Sequence, residues 1–188
     1  DDVESRGLGD VYKRQVLVGG LYNMDTRKTG FRSAFALHYV VDYQRWNLKI
    51  QYTSYNLKPV QAPGEDRRMV TMAAYGSSYR IVSRADIYTV SLSCRIPVNK
   101  LFLDSICLYN DFSLLDKRTA GFNDSLENVT GCSLTMGKVF SYIDYAVGRN
   151  HAWLGDVWDE AFARGTEDNW NVKFNINIGS VSYTHLRA

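Results

Sequence analysis

The stretch WNVKFNINIG, residues 170–179, decides the fold class of this chain. Every second residue from Trp170 to Ile178 is large and apolar, and the residues between them are three asparagines and one lysine. Residues two apart share a face of a β-strand, whereas a helix repeats about every 3.6 residues and would scatter this pattern. The stretch therefore predicts a strand with one apolar face and one polar face.

The same alternation occurs in WNLKIQYTSY, residues 46–55, and in YTVSLSCRI, residues 88–96. If the apolar faces point to lipid, we expect their side chains and those of residues 170–178 to be exposed, with no protein packed over them. The apolar positions in the two additional strands are Trp46, Leu48, Ile50, Tyr52, Tyr88, Val90, Leu92, Cys94 and Ile96.

Looser alternation predicts further strands and brings the total to about nine in an all-β, antiparallel fold. Their lengths are near the roughly ten residues with which a tilted strand crosses a bilayer. One short helix is predicted over DVWDEAFAR, residues 156–164, inside a loop. The additional strands are predicted at residues 16–24, 31–43, 69–75, 101–114, 129–136 and 141–148.

The connections between the predicted strands come in two sizes. Short turns on one side and long loops on the other are typical of outer-membrane barrels. The alternation fails between residues 69 and 98, which indicates that one strand is misassigned there. Tight turns are predicted at 44–46, 97–100 and 137–140, and longer polar loops at 58–68, 116–127 and 149–168.

The composition narrows the function classes. The 188 residues carry 22 Lys+Arg and 20 Asp+Glu, a formal net charge of +2, which argues against a dedicated nucleic-acid-binding protein. Three cysteines outside any C-x-x-C motif predict neither a disulfide framework nor a zinc site, and no motif implies a cofactor. Cys94 and Cys107 flank a turn predicted near residues 99–100, so we expect Cys94 to lie opposite residue 105 or so, and the cysteines to be unpaired.

A soluble antiparallel sheet with one wet face would also alternate, but three features favour a barrel in lipid. Aromatic residues lie near strand ends, long cations and amides occupy the polar faces, and almost no helix is predicted that could cover the sheet. The candidates for an aromatic girdle are Trp46, Tyr52, Tyr88, Trp170 and Phe174. The candidates for pore-facing residues are Arg32, Lys49, Arg95, Lys173 and Asn175.

The inward cations have two interpretations. Rings of basic side chains in a pore favour anions. Alternatively, they are scattered charges of the pore wall that Asp42 and Asp144 balance.

The two ends of the chain do not continue the pattern. RGLGDVYKRQ near the start and VSYTHLRA at the end resemble translated sequencing-adapter sequence. We therefore treat residues 1–15 and 180–188 as non-native segments and residues 16–179 as one β-barrel portion.

Three segments resemble Gram-negative porins: LDSICLYNDFSLLDK (103–117), VGRNHAWLG (147–155) and DNWNVKFNINIG (168–179). Together they are similar to the C-terminal portion of a porin family related to the phosphate-selective porins O and P, over most of residues 30–179. In that family the last strand ends in an aromatic residue, usually Phe, whereas Gly179 is followed here by the adapter-like segment.

The resemblance implies a passive channel for small hydrophilic solutes or anions in the bacterial outer membrane. It also implies a homotrimer of barrels of roughly sixteen strands, in contact with outer-membrane lipid and lipopolysaccharide. This chain would be about half of one barrel, and we expect its first and last strands not to pair with each other in a curved sheet.

Two other functions stay open. The sequence contains no G-x-S-x-G, H-E-x-x-H or P-loop motif, and His38 and Asp42 lie about 13 Å apart along one strand, too far for a catalytic dyad. An outer-membrane barrel hydrolase would have only His151 available in a loop. The third possibility is a soluble β-sheet module that binds a small apolar ligand.

Overall fold

Ten β-strands make up the regular structure, and eight of them form one antiparallel sheet in the order β1-β2-β3-β6-β7-β8-β9-β10. The structure is a computed structural model that describes residues 9–74, 76–155 and 158–180, and no helix occurs in these ranges. The strands are β1 (Gly9–Asn23), β2 (Lys28–Tyr43), β3 (Trp46–Lys58), β4 (Met69–Ala74), β5 (Ser77–Val82), β6 (Arg84–Lys100), β7 (Leu103–Asp116), β8 (Ser125–Met136), β9 (Val139–Arg149) and β10 (Trp170–Ser180).

Strands β4 and β5 pair only with each other, as a hairpin inserted between β3 and β6. The predicted strand at 69–75 is β4, which therefore does not belong to the main sheet, and β5 was missed because it is short and has only two large apolar residues on alternate positions, Tyr79 and Ile81. The misassignment predicted between residues 69 and 98 is this hairpin.

With the hairpin set aside, the connections of the main sheet alternate without exception. One edge, here called the short-turn edge, has two-residue turns that begin at Gln44, Leu101 and Gly137, each with φ between 52° and 59°. A positive φ at the first position of a two-residue turn suits the twist of a β-hairpin. The opposite edge, here called the loop edge, carries residues 24–27, 59–83, 117–124 and 150–169.

Two strands extend into the segments that were set aside as non-native, whose origin stays a prediction. Strand β1 begins at Gly9, so part of the excluded segment 1–15 pairs with β2, and β10 extends to Ser180. Residues 1–8 and 181–188 lie outside the described residues.

The helix predicted at 156–164 was wrong, because its described residues, 158–164, form turns. The carbonyls of Asp159 and Phe162 accept hydrogen bonds from the backbone of β5 at 3.1 and 2.9 Å. Pairing alongside β5 satisfies these groups without a helix.

The short turn between β6 and β7 lies later than predicted. It consists of Leu101 and Phe102, and a register shift separates Pro97 from Lys100. Cys94 therefore pairs with Leu108, not with residue 105. The three cysteines are unpaired.

Pairing in register gathers the alternating residues into two continuous faces. The face that contains Tyr52, Tyr88 and Trp170 is called the apolar face. The face that contains Lys49, Asp111 and Lys173 is called the polar face. None of the fourteen side chains predicted to point outward is buried. Exposed members on inner strands include Ile50 at 42% and Leu92 at 43%, and on β10 Ile178 reaches 77%.

The buried residues of the described chain lie elsewhere. None of the buried apolar side chains belongs to the apolar face of the main sheet. They come from the β4–β5 hairpin, from the loop 150–169 and from small residues of the polar face beneath them. The buried apolar residues are Met69, Val70, Val82, Ala85, Ala146, Ala152, Ala161 and Ala163.

The main sheet is open. Strands β1 and β10 are its two ends, and no pairing joins them in the described residues. This outcome agrees with the expected lack of pairing between the first and last strands. The described residues include no helix long and apolar enough to cross a membrane.

Candidate functional site

The five predicted pore-facing residues share the polar face. Lys49 on β3 and Lys173 on β10 fall in one row of paired residues that crosses the sheet through Asp111. Asn175 lies in the next row toward the short-turn edge, and Arg95 in the row after that. Arg32 lies apart from them near the loop edge, where it pairs with Gly19.

The four cations among these residues are exposed, and none makes an ion pair with a carboxylate of the described residues. The two acids predicted to balance them have other partners. Asp42 accepts a hydrogen bond from Asn47 Nδ2 at 2.6 Å. Asp144 accepts hydrogen bonds from the Tyr109 hydroxyl and from Asn175 Nδ2, the latter at 3.3 Å.

The polar face carries both signs of charge with an excess of cations. From residue 13 onward, the main-sheet strands place seven cations and four carboxylates on it, apart from His38. The polar face is therefore hydrophilic and moderately basic. The cations are Lys13, Lys28, Arg32, Lys49, Arg95, Lys100 and Lys173, and the acids are Asp42, Asp111, Glu127 and Asp144.

The aromatic candidates lie on the apolar face. Tyr52, Tyr88 and Trp170 fall in a single row on the loop side, and the rings of Tyr52 and Tyr88 have centroids 5.3 Å apart. Trp46 begins β3 at the short-turn edge. Phe174 lies in the middle of β10 opposite Tyr145, so it is not at a strand end.

Between the Tyr52–Tyr88–Trp170 row and the row of Ile96 and Ile178, the apolar face carries no charged side chain on β2, β3 or β6–β10. On β10 this band runs from Trp170 to Ile178, about 27 Å along the strand at about 3.4 Å per residue. Arg149 marks its loop-side limit, with its guanidinium 5.8 Å from the centre of the Trp170 ring.

The loop 150–169 folds over the polar face at the loop edge. Val82 of β5 donates its backbone N–H to Phe162 at 2.9 Å, and Trp158 Nε1 donates to the Ser78 carbonyl at 3.0 Å. From the sheet side, Lys117 Nζ and Ser125 Oγ both donate to the Ala161 carbonyl, at 2.6 and 3.0 Å. The hairpin and the loop thus form one cover that is attached to the sheet.

Asn150 attaches the loop at its base. It is fully buried and its φ is 52°. Its side-chain Nδ2 donates to the carbonyls of Asp124 and Thr166, and its Oδ1 accepts from the Thr166 backbone N–H at 2.8 Å. One amide side chain therefore joins the loop 117–124 to both ends of the loop 150–169.

A cavity of about 310 Å³, here called the loop cavity, remains between this cover and the polar face. Aromatic and aliphatic side chains dominate its wall, and apart from the hydroxyls of two tyrosines and the indole N–H of Trp153 its polar side chains are two serines, Glu127 and His151. The lining residues are Tyr55, Tyr79, Ile81, Ile87, Ser113, Leu115, Ser125, Leu126, Glu127, His151, Trp153 and Phe162.

His151 and Glu127 meet at this wall, with Nε2 and Oε2 3.4 Å apart. Burial lowers the pKa of His151 to about 4, so the ring is neutral at neutral pH, and burial raises the pKa of the Glu127 carboxyl. Its Nδ1 is buried and has no hydrogen-bond partner among the described residues. Burial likewise lowers the pKa of Lys117 to about 8.

The geometry does not assemble a hydrolase site around His151. Ser125 Oγ is committed to the Ala161 carbonyl, and Ser113 Oγ lies 3.4 Å from Thr89 Oγ1. No described serine reaches a ring nitrogen of His151. Within the described ranges, no group of three or more His, Cys, Asp or Glu residues could hold a metal ion.

Comparison with known proteins identifies no relative of this chain. No family model matches the chain, and neither the curated proteins nor the solved structures contain a significant match.

Sequence reasoning placed the polar-face residues but missed the loop cavity. Lys117, Glu127, Asn150 and Phe162 are brought together by long connections, and no periodicity reports where a loop folds. The one available signal was the aromatic content of residues 151–162, which exceeds what a solvated loop needs.

Proposed function

We propose that this chain is part of an outer-membrane porin, a passive channel for small hydrophilic solutes or anions. One observation carries the proposal: the sheet leaves its apolar face bare, and the buried residues lie on the opposite, polar side. A soluble sheet does the reverse, because it packs its apolar face on the core. A barrel in lipid has an apolar exterior and a polar interior.

The energetic argument supports lipid as the solvent of the apolar face. Transfer of each Val, Leu, Ile or Phe side chain out of water is worth about 1.5–3 kcal/mol. Contiguous apolar patches larger than a few hundred Å² on soluble monomers mark a membrane or protein contact. A charge-free band flanked by Trp46 on one side and by Trp170 on the other fits the hydrocarbon layer and its aromatic borders.

The polar face would then line the channel. Exposed, unpaired cations at Lys49, Arg95 and Lys173 would face water and passing solutes. Because seven cations accompany four carboxylates on the polar face, we expect a moderate preference for anions. The loop 150–169 would narrow the channel at the loop edge, since it covers the polar face there.

The open sheet supports a barrel with further strands. Unpaired backbone groups in hydrocarbon cost several kcal/mol each, so β1 and β10 must find partners in a membrane. We propose that they pair with strands outside this chain. A homotrimer is part of this proposal, and a polar patch on the apolar face supports it: Asn110 Nδ2 donates to Asn128 Oδ1 at 3.0 Å and to Thr130 Oγ1 at 2.8 Å.

The complete open reading frame that contains this chain provides the test. Fractionated cells should yield an outer-membrane band whose electrophoretic mobility changes on heating. The purified protein should give stepwise conductance in planar bilayers. Recovery in the soluble fraction, with no conductance, would contradict the proposal and favour a soluble sheet whose apolar face is covered by another protein.

A further inference from the structure

We propose that the loop cavity binds a primary ammonium ion that carries an aromatic group. The proposal goes beyond the channel function, because it concerns a separate cavity beneath the loop 150–169. It holds for the folded chain whether or not the whole protein conducts.

The shape and lining of the cavity fit a small ligand. Small-molecule sites are typically concave, mostly apolar, and equipped with a few polar groups that fix orientation. The cavity of about 310 Å³ has this character. The ring of Tyr79 packs edge-on against Trp153 and Phe162, with centroids 5.7 and 6.3 Å apart. This packing fixes three rings at one wall.

The charge of the lining selects a cation. Glu127 is the one carboxylate among the residues that line the cavity, and no lysine or arginine lines it. Lys117, which lies at the adjoining loop, directs its ammonium group to the Ala161 carbonyl instead. Aromatic faces attract cations through the ring quadrupole, and the attraction increases when water is excluded.

His151 adds the requirement for an N–H donor. The ring is neutral, and its Nε2 faces the Glu127 carboxylate, so Nε2 carries the proton. Nδ1 is then a bare acceptor, buried without a partner among the described residues. A buried polar atom in this state costs about 1–3 kcal/mol. A primary ammonium could donate to Nδ1 or, on the other side of the ring, to the Glu127 carboxylate, whereas a quaternary ammonium could donate to neither.

The test uses the complete protein that contains this chain, folded in detergent micelles, and 2-phenylethylammonium as the probe. Binding is followed by calorimetry and by the fluorescence of Trp153 and Trp158. We expect saturable binding with a dissociation constant of about 0.1–1 mM, in keeping with so small a ligand. 2-Phenylethanol and 3-phenylpropionate, which are neutral and anionic, should bind at least about tenfold more weakly.

Three variants separate the site from general effects. Glu127→Gln should weaken binding of the ammonium about tenfold or more, whereas Asp42→Asn, which removes a carboxylate of the same face near the short-turn edge, should change it less than about twofold. Ser113→Leu should fill the cavity and abolish binding of every probe. The phenethyl trimethylammonium ion should bind more weakly than the primary amine.

Two results would overturn the proposal. One is the absence of saturable binding to the folded wild-type chain. The other is equal binding of the ammonium, the alcohol and the carboxylate, which would make the cavity a general apolar site. If Glu127→Gln fails to fold, the wild-type preference among the probes and the Ser113→Leu variant still decide the question.

Discussion

His151 is held as a neutral imidazole by the same cover that encloses the loop cavity. The aromatic rings of Trp153 and Phe162 pack against it, with centroids 5.9 and 5.0 Å from its own. Removal of water from the ring disfavours its charged form. The pKa of a single residue therefore reports whether the loop 150–169 is docked on the sheet.

Acidification should undock this loop. In the released loop His151 would titrate near its ordinary pKa of 6.5, and in the docked loop near 4, so the released state binds more protons between these values. The stabilising contribution is complete above pH 6.5 and is lost as the pH falls toward 4. One pKa unit corresponds to about 1.4 kcal/mol. The free energy that favours the docked loop should therefore fall by about 1–2 kcal/mol at pH 5. Pairing of the protonated ring with Glu127 reduces this loss.

Fluorescence of Trp153 across this pH range measures the effect in the folded chain. His151→Phe keeps a ring in the same place and should remove the transition between pH 4 and 6.5. A transition that persists unchanged in His151→Phe would assign the acid sensitivity to another group.

Lys49 and Lys173 allow a residue-level test of the pore-lining proposal. A unit charge about 8 Å from an ion in water contributes about 0.5 kcal/mol, so reversing its sign changes the energy by about 1 kcal/mol. The complete protein with Lys49→Glu and Lys173→Glu should shift its anion-to-cation permeability ratio about fivefold or more toward cations.

The matched control is Lys138→Glu, in the exposed two-residue turn between β8 and β9. It changes the net charge but lies outside the polar face. Reversal potentials in a salt gradient give the ratio, and an equal shift in the control and in the double variant would refute the assignment of Lys49 and Lys173 to the channel wall.

At the scale of elements, the loop 150–169 behaves as part of the fold. Its backbone pairs with β5, its Ala161 carbonyl accepts two side-chain donors from the sheet, and Asn150 ties its two ends. Such a loop should resist proteases that cut ordinary surface loops.

The substitution Asn150→Ala should release the loop 150–169 from the sheet. The substitution removes three side-chain hydrogen bonds and places alanine at a φ of 52°, which L-residues other than Asn and Gly rarely adopt. We expect the docked loop to lose about 4–5 kcal/mol, from about 1 kcal/mol for each of the three hydrogen bonds and about 1–2 kcal/mol for the backbone.

Limited proteolysis in detergent, read by mass spectrometry, should show new cleavage between residues 150 and 169. Asn177→Ala, at an exposed position of the polar face, serves as the control and should cleave like the wild type. Unchanged protection in Asn150→Ala would show that the contacts of β5 alone hold the loop.

Elements differ in how far the sequence predicts them. Strands such as β3 and β10 were predictable because period-2 alternation persists wherever two faces meet different solvents. The segment 156–164 was assigned to a helix because its local composition permits one, but β5 and Lys117 bind its carbonyls instead. The contact of Glu127 with His151 could not be predicted, since it depends on how a long loop returns to the sheet.

At the scale of the whole molecule, the two unpaired edges of the main sheet determine whether the chain is stable in a membrane. Strand β10 presents its outer backbone groups without a partner in the described residues, and so does β1. An exposed edge in water invites pairing with another chain, and in hydrocarbon it is costly enough to prevent stable insertion. The larger-barrel proposal therefore predicts that β1 and β10 of one chain stay apart.

Cysteine cross-linking tests this prediction in a background of Cys94→Ser, Cys107→Ser and Cys132→Ser. The test pairs combine Leu17→Cys on β1 with Lys173→Cys, Asn175→Cys or Asn177→Cys on β10, so that several registers are sampled on the polar face. The positive control is Ala146→Cys with Lys173→Cys, which are direct partners across β9 and β10. Neighbouring paired positions lie about 4.5–5.5 Å apart, within reach of a disulfide or a short bifunctional maleimide.

We expect the control pair to cross-link within the monomer in detergent, because its strands are hydrogen-bonded neighbours. The three test pairs should give no intramolecular product, and any product should join two chains, since an open edge can pair only with another copy or with strands that this chain lacks. An intramolecular link between β1 and β10 would mean that the eight strands close on themselves. A small complete barrel would then replace the larger porin, and the channel proposal would fail with it.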